Sequence, residues 1–234
     1  MSHRTVGVIG GVGPGGTAVF YTKVVRQYAE RQGGDQPPLL IYSLPMEAQI
    51  ESAMLNGATA GPEVDGMIAM LDAAVNALAR AGASTIVMPC NTLQGYLPPL
   101  VARAGLSYIH LIAETVSRVK QCGHARVTVI CTAAMRALRL YQNEMDAQSV
   151  KYVMPAEDEQ AGINQAILDT LHHAPDPSAR LRPVIRRLER DADSILLGCS
   201  DLTAFDDPAF TRLPVIDAMS VLAEATVKYL SDPK

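Results

Sequence analysis

The sequence predicts an α/β protein of two pseudo-symmetric lobes, each a parallel β-sheet flanked by helices, with a ligand cleft between them. Three observations predict this. Short β-branched runs alternate with amphipathic helical runs along all 234 residues, the pattern of helices packed on parallel sheets. The strand runs are nearly continuous in apolar residues, as burial on both faces requires. There is also a weak internal repeat. "GASTIVMPCNT" (Gly82–Thr92) matches "DADSILLGCSD" (Asp191–Asp201), and "VGVIGGVGP" followed by Phe20-Tyr21-Thr22 matches "VTVICTAAM" followed by Leu140-Tyr141-Gln142.

Taken in order, the strand candidates are Thr5–Gly10, Leu39–Ser43, Ser84–Pro89, Ser107–Leu111, Arg126–Cys131, Val150–Met154, Ser194–Gly198 and Pro214–Ile216. The clearest helix runs from about Glu63 to Arg80, with Val64, Met67, Ile68, Leu71, Val75 and Leu78 in one stripe and Gly82 as its stop. Ala18–Arg31, Gln160–His172, Ser178–Arg190 and Asp217–Leu230 read as helices for the same reason, with Asp217 as an N-cap and His172-His173 at a helix end. The repeat divides the chain into a first lobe of residues 1–113 plus 217–234 and a second of 114–216.

Composition narrows the function. A net charge of −4 with 48% hydrophobic residues suits a globular protein and argues against nucleic-acid binding. Arg180, Arg182, Arg186, Arg187 and Arg190 lie along one helix without interleaved aromatics, so a solvated face is expected. No window is apolar enough for a membrane span, and no secretory signal pattern stands at the N-terminus. A cytoplasmic protein without membrane contact is expected. The four cysteines, Cys90, Cys122, Cys131 and Cys199, show neither C-x-x-C nor zinc-ligand spacing, so no metal is expected. Cys122 reads as incidental in a polar loop and Cys131 as packing at a strand end. His110 stands at a strand end within reach of the cleft.

Gly11, Gly13 and Gly16 spell G-x-G-x-x-G after the first strand. A dinucleotide site would need an acidic residue at the end of the next strand for the ribose, and Ile41-Tyr42-Ser43-Leu44-Pro45 has none. The remaining reading is narrower: glycine amides near a helix start receive a small anion such as a carboxylate.

Cys90 and Cys199 each end a strand and are followed by hydrogen-bonding residues, Asn91-Thr92 and Ser200-Asp201. A helix N-terminus beyond each would lower the thiol pKa toward neutrality. Two such thiols in matched positions suit inversion of a stereocentre with an acidic C–H. One removes the proton as thiolate, and the other returns one to the opposite face as thiol. Such chemistry needs no cofactor.

These motifs, "GVIGGVGP", "MPCNT", "LLGCSDL" and "PVID", resemble the aspartate/glutamate racemase family over essentially the whole chain. The resemblance implies a two-lobed fold with its active site in the cleft, pyridoxal-phosphate-independent proton transfer by Cys90 and Cys199, a small amino-acid substrate, and a homodimer. It assigns substrate binding to Gly11, Val12, Gly13, Asn91, Thr92, Thr132 and Ser200, with Gln94 and Asp201 in support.

Four positions depart from that family's pattern. Gln94 stands where a histidine is usual, Ser200-Asp201 replaces Thr-Glu, and Glu47 in Pro45-Met46-Glu47 stands where an arginine would grip a side-chain carboxylate. Within that match Glu47 would repel an acidic substrate, so a neutral or basic amino acid is expected. Aspartate or glutamate racemisation, hydantoin racemisation and maleate isomerisation remain alternatives. Decarboxylation, needing one cysteine, fits the retained pair less well, and a non-enzymatic ligand-binding protein is the remaining class.

Overall fold

The computed structural model describes residues 4–55, 57–171, 174–205 and 210–232. Strands β1 (Val6–Gly10), β2 (Leu39–Ser43), β3 (Thr85–Val87) and β4 (Ser107–Tyr108) form one parallel sheet in the order β2-β1-β3-β4. Strands β5 (Val127–Ile130), β6 (Tyr152–Val153), β7 (Ser194–Leu197) and β8 (Val215–Asp217) form a second parallel sheet, β6-β5-β7-β8. The two orders are the same, so the internal repeat is a repeat of topology. Each expected run contains a strand except the last, Pro214–Ile216, which β8 outruns by one residue to Asp217. The central strands β1, β3, β5 and β7 are buried throughout, while edge strand β2 is only partly covered.

Ten α-helices flank the sheets among the described residues: α1 (Pro14–Arg31), α2 (Ala48–Leu55), α3 (Pro62–Arg80), α4 (Leu97–Arg103), α5 (Leu111–Cys122), α6 (Ala133–Ala137), α7 (Leu140–Gln148), α8 (Glu157–Leu171), α9 (Leu181–Leu188) and α10 (Ala218–Ser231). Helix α1 begins at Pro14, earlier than Ala18, because proline at the first helical position loses no needed amide. Helix α3 buries Val64, Met67, Leu71, Val75 and Leu78 as its stripe predicts. Asp217 caps α10, accepting from the amides of Met219 and Ser220 at 3.2 and 3.0 Å. On α9, Arg187 pairs with Glu159 and Asp191, and just ahead of its first residue Arg180 reaches Asp169, as a solvated basic face would. His172 and His173 lie outside the described residues.

One apolar cluster joins the two sheets. Val6 and Val8 of β1, Val127 and Val129 of β5, and residues of α1, α5, α7 and α10 belong to it. Helix α10 packs on both α1 and α5, and α5 on α7. The positions expected to separate the lobes therefore fall within continuous elements: 113/114 lies inside α5 and 216/217 inside β8. Two further clusters cover the outer faces, one around β3 with α3 and α4, the other around β7 with α8 and α9.

Candidate active site

The loops after the four central strands converge. Val12 and Gly13 follow β1, Cys90 to Leu93 follow β3, Thr132 follows β5, and Cys199 to Asp201 follow β7; all of them line one pocket. Parallel sheets present ligands at their carboxyl ends, where these loops open the strand layer. Met46, Glu51 and Met54 from the α2 region and Leu171 from α8 complete the wall.

Gln94 organises the Cys90 loop. Fully buried, its Nε2 donates to the carbonyls of Met88 at 2.9 Å and Cys90 at 2.8 Å. Its Oε1 accepts from the Tyr108 hydroxyl and, at 3.1 Å, from the Leu111 amide. This amide can donate and accept at once, which suits a fully satisfied buried hub. Gln94 lies behind the pocket wall and holds the loop rather than facing the cleft.

Asn91, 2% exposed, accepts from the Tyr141 hydroxyl at 2.6 Å through Oδ1, while its Nδ2 has no hydrogen-bond partner among the described residues. An unpaired buried donor on a pocket wall costs stability and is suited to a ligand acceptor. Across the cleft the Thr92 and Thr132 hydroxyls are 3.2 Å apart, and Thr132 caps α6 by accepting from the Met135 amide at 3.3 Å.

The glycine loop acts differently from the expectation. The Gly11 amide donates to Thr17 Oγ1 at 3.1 Å, and Gly11 does not line the pocket. A Cβ there would stand 2.7 Å from the Leu44 backbone, and φ is +87°, so glycine is required by the crossing of β2's end. A Cβ on Gly16 would stand 2.6 Å from Ser200 Cβ, and one on Gly13 3.1 Å from Asp201 Oδ1. These two glycines let the start of α1 pack directly on the Cys199 loop. Val12 and Gly13 alone of the expected loop residues face the cleft.

Glu47 also requires correction. It is exposed just before α2 and outside the pocket lining. Glu51, one helical turn on, lines the pocket together with Met54. Their i, i+3 spacing puts both on one helix face, a signal in "EAQIESAML" that becomes readable only once that stretch is known to be helical. Leu171 carried no signal. His110 caps α5, its Nδ1 accepting from the Ala113 amide at 3.3 Å, rather than approaching the cleft. Cys131 is buried and Cys122 exposed.

Both cleft thiols are held protonated. Burial pushes Cys90 up from 9.0 to about 11; the amides of Leu93 and Thr92 oppose this, while the charges of Asp201 and Glu51 add to it. Cys199 is likewise raised well above the thiol range, first by burial and then by the Asp201 carboxylate, whose Oδ2 lies 3.6 Å from its Sγ. The expected lowering by helix N-termini fails because short 3-10 turns follow each cysteine and desolvation outweighs their amides. Burial also raises the Asp201 carboxyl, with the Cys199 hydrogen bond opposing and Glu51 adding to the rise. Among the described residues no group of three His, Cys, Asp or Glu is arranged to hold a metal ion, and no helix is long and apolar enough to cross a membrane.

Two repeated parallel sheets with a cysteine at the end of a central strand in each define a two-thiol α/β protein. Residues 9–226 match the family described as Asp/Glu/hydantoin racemase, and the chain belongs to that family. Its members are racemases, which are isomerases. The chain is 24% identical over 228 residues to the broad-specificity amino-acid racemase RacX of Bacillus subtilis (strain 168), covering 95% of this chain and 96% of that one. The fold is similar to the aspartate racemase of Picrophilus torridus, with a TM-score of 0.78 at 23% identity over 98% of this chain and 95% of that chain. It is also similar to an aspartate racemase homologue from Pyrococcus horikoshii OT3, with a TM-score of 0.77 at 20% identity over 98% of this chain and 100% of that chain.

Proposed function

We propose that the protein racemises a free amino acid without pyridoxal phosphate, moving the Cα proton between Cys90 and Cys199. The observation that carries this reading is the placement of both buried thiols, from equivalent positions of the two sheets, on the wall of one cleft. The aspartate racemase likeness and RacX support the same substrate class. The division into lobes 1–113 plus 217–234 and 114–216, a homodimer and a cytoplasmic location are adopted with the reading.

In the direction starting at Cys90, its thiolate takes the Cα proton and becomes a thiol. The electron pair left on Cα accepts the Cys199 proton at the opposite face, leaving Cys199 as thiolate. The substrate is inverted and the two sulfurs have exchanged states; the reverse direction swaps the roles. The Asn91 Nδ2 donor and the Thr92, Thr132 and Ser200 hydroxyls serve the α-carboxylate and spread the developing charge. Burial holds both thiols toward the protonated form, so a thiolate must form as the substrate binds. The substrate's α-ammonium offsets the negative field of Asp201 and Glu51 and makes that ionisation easier. In the reverse direction Asp201, 3.6 Å from the Cys199 sulfur, is positioned to accept the proton that Cys199 releases.

Solvent deuterium incorporation at Cα, followed by NMR over a panel of amino acids, tests the reading. Wild type is expected to exchange and racemise. Cys90→Ser and Cys199→Ser are each expected to abolish racemisation, with exchange surviving for one enantiomer at most. Undiminished racemisation by both variants would exclude the two-thiol mechanism, and a panel without exchange would favour a binding protein.

A further inference from the structure

The cleft lining has a charge pattern that an acidic substrate does not match. Among the described residues that line it, the charged ones are Glu51 and Asp201, with no lysine, arginine or histidine. The two acids have different surroundings. Asp201 is engaged with Cys199 at 3.6 Å, on the side of the reacting thiols. Glu51 stands on the α2 wall between Met46 and Met54, half-buried, and makes no ion pair with a described residue. Its charge is felt across the pocket, since it contributes to the upward shifts of Cys90 and Asp201.

Resting on the racemase reading, we propose that the α2 wall is a subsite for a cationic side chain. Glu51 pairs with the terminal ammonium or guanidinium of a basic amino acid whose methylene stem lies along Met46 and Met54. A second observation points to a ligand in the same space. The Asn91 Nδ2 donor, on a side chain almost wholly buried, lines the same pocket without a partner among the described residues and offers the α-carboxylate its place. Substrate orientation follows from the two ends. The carboxylate meets a donor on the β3 loop, the stem meets flexible thioether side chains that adapt to its length, and the distal cation meets a carboxylate in a partly desolvated setting. An aspartate or glutamate side chain would add a further negative charge facing Glu51, with no cation among the described lining residues to receive it, an arrangement that rejects by repulsion.

The test compares kcat/KM for lysine, norleucine and aspartate in wild type and in Glu51→Gln, with Cα deuterium exchange recorded alongside. Norleucine keeps the stem and loses the charge, so its turnover also shows that the variant is folded. Wild type is expected to prefer lysine to norleucine by about tenfold or more, and Glu51→Gln to lower that lysine-to-norleucine ratio by about the same factor, on top of any change common to both substrates from removing a charge that acts on Cys90. Equal losses on lysine and norleucine, or a wild-type preference for aspartate, would overturn the subsite. Absence of exchange on all three substrates and on alanine would overturn the racemase reading itself. Exchange on norleucine or alanine without a lysine preference overturns only the assignment of Glu51.

Discussion

The Cys90 and Cys199 loops share one pattern, a buried strand, a cysteine and a polar pair, yet they hold their sulfurs by different means. The Cys90 loop is tied by Gln94 to two carbonyls on one side and to Tyr108 and Leu111 on the other. The Cys199 loop is packed against glycine: Gly13 and Gly16 of α1 leave room for Asp201 and Ser200. Cys199 meets both the carboxylate and the backbone amide of Asp201, whereas Cys90 meets the backbone amides of Thr92 and Leu93. Pseudo-symmetry of fold thus coexists with unequal electrostatics, which is what a catalyst meeting two faces of a chiral carbon can use. The Asp201 charge adds to the rise of both thiols, and its carboxylate lies against Cys199.

The largest effect expected from breaking this comparison is at Gln94. Gln94→Leu leaves two carbonyls, the Tyr108 hydroxyl and the Leu111 amide without partners in a buried setting. A loss of about 3 kcal/mol or more in urea unfolding is expected, together with a fall in kcat for reaction through Cys90. A stability change below about 1 kcal/mol would remove Gln94 from its role as the hub.

Gly16→Ala strikes the other loop. The new methyl would overlap Ser200 Cβ, and overpacking of this kind costs about 1–3 kcal/mol. Cys199-dependent exchange is expected to fall more than Cys90-dependent exchange. Symmetric losses would mean that α1 does not position the Cys199 loop selectively.

The smallest effect is alkaline. Cys90 titrates at about 11 when folded, against 9.0 for an unburied thiol. The unfolded chain therefore releases this proton first. The stability contributed by the buried thiol is complete below about pH 9 and is lost as pH rises to about 11. Urea midpoints measured from pH 8 to 11 are expected to fall less steeply for Cys90→Ala than for wild type. Parallel profiles would show that burial does not hold this thiol protonated.

Much of this was legible locally. β-branched runs locate the eight strands among the described residues, most plainly β1, β3, β5 and β7, because a strand buried on both faces needs apolar side chains at nearly every position. The stripe of α3 and the Asp217 cap are equally local. Helices α2 and α4 to α7 were less legible: α6 has five residues, α4 has seven, and short helices are stabilised chiefly by packing.

The sequence by itself determined the alternation of strands and helices, the repeat, and the two cysteines at strand ends, since each depends on residues a few positions apart. Only the tertiary structure decided that Glu51 rather than Glu47 faces the cleft, that Gly13 and Gly16 serve close packing, and that both thiols are protonated. Each of these depends on which groups from distant parts of the chain share a desolvated space, and neither periodicity nor motif spacing encodes that proximity.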